Sequence, residues 1–278
     1  MSDLFHFSTQ LKPKLMAAIT EFLVKSHQFE FDHHLLDPVK EFVTLGKLFR
    51  AEVCLQTTQH LLNSSQPPAS AWSAAVALEL AGSALLIQDD ITDEAILRRT
   101  KPALYRTYTQ LWPGSKVSSL PANHFGESAA MYVSDTLFFM ATRILTQADC
   151  SAEIKVALLD SFSHQIATLA LCQSEEMRVA ALPLTDENLT ESKIIQILIG
   201  KSARYTAMWP LEFASILAQA SPEVTERLQR FGQALGLVFQ LSDDRLGLFG
   251  DSDKTGKDLQ SDAETGKKTL YALYARDR

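Results

Sequence analysis

The chain has 278 residues, 46% of them hydrophobic, with only 11 Gly and 10 Pro. This composition can fill the core of one large domain or two ordinary ones, and it excludes a disordered or fibrous protein. Asp and Glu total 33 against 26 Lys and Arg, and the resulting net charge of −7 argues against nucleic acid as the main partner.

Cysteine usage and targeting patterns indicate the compartment. Cys54, Cys150 and Cys172 form no C-x-x-C pair and are odd in number, which is typical of small core residues in a reducing cytoplasm. The N-terminus shows no basic region followed by an apolar core, and no uninterrupted apolar run reaches the roughly 18 residues of a membrane span. We therefore expect a soluble, cytoplasmic protein without a transmembrane segment.

The first third of the chain predicts helices separated by polar breaks. An apolar spacing of three to four residues predicts an amphipathic helix over residues 8–27. Pro38 predicts the start of a second helix. Residues 63–70 (NSSQPPAS) predict a loop, and the apolar run after them predicts a buried helix over residues 71–90.

The rest of the chain continues the helical pattern. Pro210 predicts a kink or break inside one of its helices. No alternating strand pattern of useful length and no repeat of fixed period occurs. We therefore expect an all-α protein with one domain over residues 1–278. The predicted helices here cover residues 126–146, 152–180, 190–220 and 222–241.

An acidic stretch follows directly on the predicted buried helix. Asp89 and Asp93 are four residues apart and therefore share one helix face. Mg²⁺ favours carboxylate oxygens and commonly bridges to substrate phosphates. Arg98 and Arg99 come next, and guanidinium groups bind phosphate oxygens bidentately. The stretch suggests a diphosphate site, with a solvated acidic helix end and a basic loop as the alternative.

A second acidic cluster follows the helix predicted over residues 222–241. Asp243 and Asp244 lie there, and basic residues that include Lys257 come after them. Two acidic helix ends, each followed by cations, can face each other across a helical bundle and hold Mg²⁺ around one diphosphate. Two such clusters in one chain favour a functional site over solvated charge pairs.

The motifs resemble, in order and over nearly the whole chain, those of the trans-isoprenyl diphosphate synthase (polyprenyl synthetase) family. Gly46-Lys47-x-x-Arg50 is similar to the family's early basic motif. The family's first aspartate-rich motif is matched by Asp89-Asp90-x-x-Asp93, and its arginine tail by Arg98-Arg99-x-Lys101-Pro102. Its middle helix is matched by Phe125 to Asp135, and its cavity positions by Gln173, Lys201-Ser202 and Phe239-Gln240. Its second aspartate-rich motif is matched by Asp243-Asp244, and the loop of that motif by Thr255-Gly256-Lys257 and Gly266-Lys267-Lys268-Thr269.

The resemblance implies a single-domain helical bundle of the isoprenoid-synthase type around a deep central cavity. It implies head-to-tail condensation of an allylic diphosphate with isopentenyl diphosphate, Mg²⁺ as the cofactor, and a homodimer. It assigns the metal to Asp89, Asp93 and Asp243, the allylic diphosphate to Arg98, Lys201 and Lys257, isopentenyl diphosphate to Lys47, Arg50 and Arg99, and stabilisation of the carbocation to Ser202 and Gln240.

Four features depart from the family's pattern. Leu48 replaces a frequent Arg, and Gly82 stands where His or Gln usually touches isopentenyl diphosphate. Gly247 replaces the last Asp of the second motif. The chain ends at Arg278, where family members usually continue through further helices, so we expect a more open site. These departures affect substrate binding more than metal binding.

Product length is predicted from the helix that leads to Asp89. In the family, a large aromatic residue four or five positions before that aspartate stops growth at farnesyl length. Leu85 and Ala84 occupy these positions here, so we expect a product of geranylgeranyl length or longer. The alternative is that both residues pack in the core and that Phe138 or Phe139 limits the length.

Two other functions compete with an active prenyltransferase. The first is a non-catalytic or weakly active subunit that pairs with an active homologue, which Leu48, Gly82 and the early end favour. The second is a class I terpene cyclase, which shares the D-D-x-x-D motif and the helical bundle. Against it, the chain has no N-x-x-x-S-x-x-x-E motif, and Lys47 and Arg50 would have no second diphosphate to bind.

Overall fold

A computed structural model describes residues 7–25, 33–112, 114, 120–249 and 268–276. These residues are helical apart from connecting turns and one short hairpin, so the all-α prediction is confirmed. The elements are α1 (Ser8–Lys25), α2 (His33–Thr44), α3 (Phe49–Leu61), α4 (Ala69–Thr92), β1 (Leu97–Arg98), β2 (Lys101–Pro102), α5 (Leu104–Gln110), α6 (Ala122–Thr146), α7 (Ala152–Ala180), α8 (Glu191–Leu198), a π-helix (Ile199–Met208), α9 (Trp209–Leu217), α10 (Pro222–Phe249) and α11 (Leu270–Arg276).

The chain divides into two compact units. The first contains Met1–Leu55 and Pro67–Asp149, and the second contains Gln56–Gln66 and Cys150–Arg278. The predicted acidic stretch at Asp89 therefore belongs to the first unit, and Asp243 belongs to the second. The extent of a single domain over residues 1–278 stays a prediction.

The core of the first unit is built on α4. This helix is long and apolar enough to span a membrane by length and composition, but 78% of its most apolar window is buried inside the protein. It packs against α6, and the α1 positions Leu11, Leu15 and Ile19 are almost completely buried, as their spacing predicts. A buried α4 fixes the place at which its C-terminal carboxylates emerge.

The π-helix forms the centre of the second unit and packs against α10. A Cβ atom added to Gly236 would lie 2.3 Å from the Cα atom of Ala203, which is too close for any side chain. One turn earlier, a Cβ atom on Gly232 would lie 3.1 Å from the Cα atom of Met208. Glycine at these two positions lets α10 approach the backbone of the π-helix, which carries Lys201 and Ser202.

Pro210 does not interrupt the helical conformation. Instead, the chain runs from α8 through the π-helix into α9, and Pro210 lies at the start of α9. The N–H of Trp209 donates to the carbonyl of Arg204, five residues back, which is the π-helical pattern. The wider π-helical turn directly before Pro210 takes the place of the predicted kink.

Two predicted helix boundaries were wrong. α2 begins at His33 rather than at Pro38, and the turn before the proline is held to α5 by the Tyr108 hydroxyl, which donates to the carbonyl of Leu35 at 2.6 Å. α10 continues to Phe249 instead of ending at residue 241. Asp244 is 1% exposed and accepts a hydrogen bond from Gln240 one turn earlier, so the acidic cluster lies inside the helix.

Candidate functional site

The C-terminus of α4 carries the first pair of acidic side chains. α4 ends at Thr92, and the N–H of Asp93 donates to the carbonyl of Asp89 at 2.8 Å. The two residues are therefore one turn apart, and both are half-buried. No group of three His, Cys, Asp or Glu side chains able to bind a metal ion occurs in the described part of the chain. A carboxylate pair that shares its ion with phosphate oxygens suits Mg²⁺, which prefers such a mixed set of ligands.

Asp90, between these two residues, holds Arg98. Its Oδ1 atom accepts hydrogen bonds from Nε of Arg98 at 2.6 Å and from Nη2. Asp90 is 1% exposed, and burial raises the pKa of its carboxyl group more than Arg98 lowers it. In this structure the guanidinium predicted to contact the allylic diphosphate is fixed by a buried carboxylate.

A two-residue hairpin places Arg98 and Arg99. Strands β1 and β2 pair antiparallel, and Arg98 is opposite Lys101. The two loop residues, Arg99 and Thr100, have φ values of 55° and 67°. Positive φ at both positions matches the tight hairpin turn that suits the twist of the strands, but Asn and Gly normally occupy it. The backbone is therefore strained where the second arginine lies.

Arg99 connects the hairpin to the early basic motif. Its Nη1 atom donates to the carbonyl of Phe42 at 3.1 Å, and its guanidinium carbon lies 5.6 Å from the centroid of the Phe42 ring. A Cβ atom added to Gly46 would lie 2.9 Å from Nη2 of Arg99, so glycine leaves room for the guanidinium. The structure thus brings Arg99 to the Gly46–Arg50 segment, where Lys47 is exposed and Arg50 half-buried.

Leu48 lies outside this cationic group. Its side chain is 2% exposed and belongs to the core, and its backbone has a φ value of 56°. The left-handed conformation turns the chain between exposed Lys47 and the start of α3. An apolar side chain fits this inward position, and it adds no charge to the surface that carries Lys47.

Glu79 is a residue of this site that we did not predict. It lies in the middle of apolar α4, is 5% exposed, and accepts the N–H of Ala51 at 3.0 Å in the first turn of α3. Burial raises the pKa of its carboxyl group against the lowering effect of Arg50. A single charged residue inside a long apolar run was the signal in the sequence that pointed to it.

A cleft of about 390 Å³ opens beside the hairpin in the first unit. Helix α2 contributes Pro38 and Phe42 to its wall, and α5 contributes Leu104. Arg98 and Arg99 lie on the hairpin side. The lining also contains the carboxylates of Asp37 and Glu41 on α2, so the cleft has apolar walls and charges of both signs at its edge.

The second unit contains the other predicted residues that the structure describes. Nζ of Lys201 is 2.5 Å from Oε2 of Glu176 on α7, and Ser202 is 9% exposed. Nε2 of Gln240 donates to Oδ1 of Asp244 at 2.7 Å. Asp243 is half-buried, and Lys257 lies outside the described residues. Glu176, like Glu79, was not predicted, and it fixes a cation that was.

The residues predicted to control product length differ in exposure. Ala84 is fully buried in α4 and Leu85 is half-buried. Phe138 is half-buried, whereas Phe139 is 73% exposed. Ala84 thus lies in the core one turn before Asp89, where added volume meets packed neighbours.

A family model described as polyprenyl synthetase matches residues 32–278. The short chain isoprenyl diphosphate synthase of Methanothermobacter thermautotrophicus is 28% identical over 236 residues, which cover 84% of this chain and 64% of that protein. The geranylfarnesyl diphosphate synthase of Natronomonas pharaonis is 30% identical over 206 residues, which cover 74% and 54%. The chain thus spans between half and two thirds of the length of these curated relatives.

The fold is similar to that of a solved structure. The geranylgeranyl pyrophosphate synthase of Corynebacterium glutamicum, crystallised in complex with isoprenyl diphosphate and magnesium, superposes with a TM-score of 0.87 at 26% identity. The match covers 98% of this chain and 77% of that one. This chain therefore has the fold of that solved structure. The product lengths in the names of the similar proteins differ.

Proposed function

Since this chain belongs to the polyprenyl synthetase family, we propose that it condenses isopentenyl diphosphate with an allylic diphosphate to give a longer trans-prenyl diphosphate. The observation that carries the proposal is the arrangement in the first unit. There the carboxylates at the end of α4 are followed by a hairpin whose Arg99 reaches the early basic motif at Gly46. Carboxylates for a metal ion and cations for two anionic substrates thus lie in one unit.

In the proposed reaction, the allylic C–O bond breaks and the diphosphate leaves with the electron pair. The allylic carbon bonds to the terminal alkene carbon of isopentenyl diphosphate, and the new cation loses a proton, which the departed diphosphate accepts. Mg²⁺, when bound, would stabilise charge on the leaving diphosphate. Asp89 and Asp93 are the proposed ligands in the first unit, and Asp243 is the proposed ligand in the second.

The side chains of the first unit bind and orient the two diphosphates. Lys47, Arg50 and Arg99 are proposed to bind isopentenyl diphosphate, because exposed and half-buried cations attract its phosphates. Arg98 is proposed to contact the allylic diphosphate while Asp90 holds it, since a guanidinium carries five N–H donors. A guanidinium held in this way needs little reorganisation when charge develops on the leaving group.

The side chains of the second unit act on the allylic substrate. Lys201, and Lys257 outside the described residues, are proposed to bind its diphosphate. Ser202 and Gln240 are proposed to offer oxygen dipoles to the carbocation. The amide nitrogen of Gln240 already donates to Asp244, so its carbonyl oxygen is the end of the amide that suits a cation.

We further propose a product of geranylgeranyl length or longer, because Ala84 and Leu85 are small or aliphatic. Ala84→Phe adds a ring at a fully buried position one turn before Asp89. We expect the longest product to shorten by at least one isoprene unit, as measured by chromatography of the dephosphorylated products. Phe139→Ala is the matched control at a position that is 73% exposed, and it should leave the length unchanged. An unchanged product in Ala84→Phe rejects this assignment.

A non-catalytic or weakly active subunit is the second candidate function. The structure favours it at two positions: Leu48 is buried in the core, and Gly82 has no side chain to offer a substrate. A chain of this kind would bind diphosphates and extend them only beside an active homologue.

A homodimer is the assembly proposed for the active enzyme. Light scattering of the purified chain measures its molar mass and so tests this assembly.

The deciding experiment is a product assay on the purified chain. It contains Mg²⁺, isopentenyl diphosphate and, separately, dimethylallyl, geranyl or farnesyl diphosphate, and the prenyl products are then sized. Extension that stops on chelation of Mg²⁺ and in Asp89→Ala supports the proposal. Diphosphate binding without extension supports the subunit, and cyclised hydrocarbon without any use of isopentenyl diphosphate supports a terpene cyclase.

A further inference from the structure

A carboxylate of α4 holds the N-terminus of α3 in the first unit. The side chain of Glu79 accepts the N–H of Ala51 at 3.0 Å, and it also accepts the N–H of Arg50. These are first-turn amides of α3, which have no carbonyl partner within their own helix. The cap comes from another helix, so the start of α3, and with it Arg50, is tied to the centre of α4.

The side chain of Arg50 then runs along α4. A Cβ atom added to Gly82, one turn after Glu79, would lie 3.3 Å from both Cδ and Nε of Arg50. That separation is tighter than most Cβ contacts in proteins, so a larger residue at position 82 requires the arginine side chain to shift by a few tenths of an ångström. Glu79 and Gly82 share one face of α4 because they are three residues apart. The carboxylate of Glu79 and the bare backbone of Gly82 therefore form one surface, and the Arg50 side chain lies on it.

The field of Glu79 also acts on the second arginine of this site. Arg50 and Arg99 both lower the pKa of the Glu79 carboxyl group, although burial raises it overall. Arg99 arrives from the hairpin and lies over Gly46, at the other end of the same segment. One buried carboxylate is therefore close enough to interact with both guanidinium groups assigned to isopentenyl diphosphate.

We propose that Glu79 and Gly82 are positioning residues for the isopentenyl diphosphate site, and that they act through Arg50. Glu79 fixes the backbone of Arg50 and balances its charge, and Gly82 leaves the space in which its side chain lies. This inference rests on the proposed function. It adds that the side chain of Arg50 packs over the bare backbone at position 82.

The first test is Glu79→Gln, which keeps an acceptor for the backbone N–H and removes the charge. We expect the KM for isopentenyl diphosphate to rise about tenfold, the size expected when a charge-assisted contact is lost. The KM of the same variant for the allylic substrate should change less than about twofold. Glu52→Gln is the matched control, because Glu52 is also buried, at 2% exposure, and accepts the N–H of Phe7 at 2.6 Å. It should leave both KM values unchanged.

The second test is Gly82→Ala, which separates positioning from stability. Alanine favours a helix interior more than glycine does, so the melting temperature should stay equal or rise. The added methyl group nevertheless requires the Arg50 side chain to shift. The KM for isopentenyl diphosphate should therefore rise about threefold, since the contact between Arg50 and the substrate is weakened and not lost. In Arg50→Ala, a further change of residue 79 or 82 should have no added effect on this KM.

The outcomes distinguish this inference from the proposed function. Calorimetric binding of isopentenyl diphosphate to the wild-type chain, without an allylic substrate, is measured beside turnover. If the wild-type chain neither binds it nor extends, both proposals are rejected. If the wild-type chain extends but Glu79→Gln and Gly82→Ala keep its KM values, only the positioning role is rejected. If Glu79→Gln does not fold, the Gly82→Ala result alone supports or rejects the role.

Discussion

The two units hold their cationic side chains by different means. In the first unit, Arg98 pairs with Asp90, which is 1% exposed, and Arg50 lies beside Glu79, which is 5% exposed. In the second unit, Lys201 pairs with Glu176, whose side chain is 19% exposed. A buried carboxylate exchanges its cation for water less readily than one that water reaches. The first unit thus pairs these cations with more deeply buried carboxylates than the second unit does.

The backbone explains why the first unit needs these buried anchors. Arg98 and Arg99 lie on a hairpin whose loop residues Arg99 and Thr100 have positive φ, and Arg50 directly follows a turn in which Leu48 has positive φ. Lys201 instead lies on a continuous helical segment, where the backbone hydrogen bonds already fix its position. Irregular backbone does not hold a guanidinium in place, so a carboxylate from the core helix α4 supplies the restraint.

Removing the cation from the buried pair should have the largest effect on stability. Arg98→Leu leaves Asp90 charged and buried without its partner, which costs about 3–5 kcal/mol of unfolding free energy. Urea unfolding at neutral pH measures this loss. Lowering the pH should reduce the loss of stability in Arg98→Leu. The raised pKa of Asp90 allows its carboxyl group to take up a proton at a higher pH in the folded state than in the unfolded state.

The same hairpin provides the control for Arg98→Leu. Lys101 pairs with Glu41, but the two side chains are 47% and 56% exposed. Lys101→Met should therefore cost less than about 1 kcal/mol, as exposed ion pairs do. Equal losses in the two variants would show that burial of Asp90 does not matter and would remove the basis of the comparison.

The Lys201–Glu176 pair of the second unit, with side chains 21% and 19% exposed, should give an intermediate result. Lys201→Met leaves Glu176 with access to water, so the expected cost is about 1–2 kcal/mol, between the values for exposed and buried pairs. Urea unfolding under the same conditions measures it. A loss as large as that of Arg98→Leu would mean that the second unit fixes its cation as firmly as the first.

The sequence predicted those parts of the site that follow from regular spacing. Asp89 and Asp93 share a helical turn, and this spacing is visible in the letters alone. The order of the motifs also predicted the family, which the match over residues 32–278 confirms. The assignment of individual residues to metal and substrates stays a prediction, and so does the product length.

The missed features depend on long-range packing. The lone charge in the apolar run marks Glu79 in the sequence, but its partner, the first turn of α3, becomes visible only when the two helices pack together. The π-helix depends on the fit of α10 against Ala203, which Gly236 permits. The predicted end of α10 at residue 241 was wrong because Asp244, although charged, is buried and the helix continues through it to Phe249. Helix propensity is a weak guide to the structure of a segment whose conformation is determined by tertiary contacts.

Relief of backbone strain in the hairpin should raise stability. Thr100 is β-branched and has a φ value of 67°, so Thr100→Gly should add about 1 kcal/mol to the unfolding free energy. Gln219 in the second unit has a φ value of 50° just after α9, where glycine is common. Gln219→Gly should gain less, because glutamine is not β-branched. A larger gain at Gln219 would show that the β-branch of Thr100 adds no strain at this φ value.

The smallest expected effect comes from a surface cluster of charges that joins α7 and α8. Hydrogen bonds from Arg178 and then Lys193 lower the pKa of Glu175 from 4.5 to about 2. The folded state therefore holds fewer protons than the unfolded state between these values, and the stabilisation that is present above pH 4.5 is lost as the pH falls towards 2. Thermal unfolding should show wild type slightly above Glu175→Gln at neutral pH, with the margin closing over that range. Because exposed pairs are screened, about 1 M salt should close the same margin at neutral pH. A stability difference between wild type and Glu175→Gln that changes with neither pH nor salt would show that Glu175 stabilises the protein through packing and not through its charge.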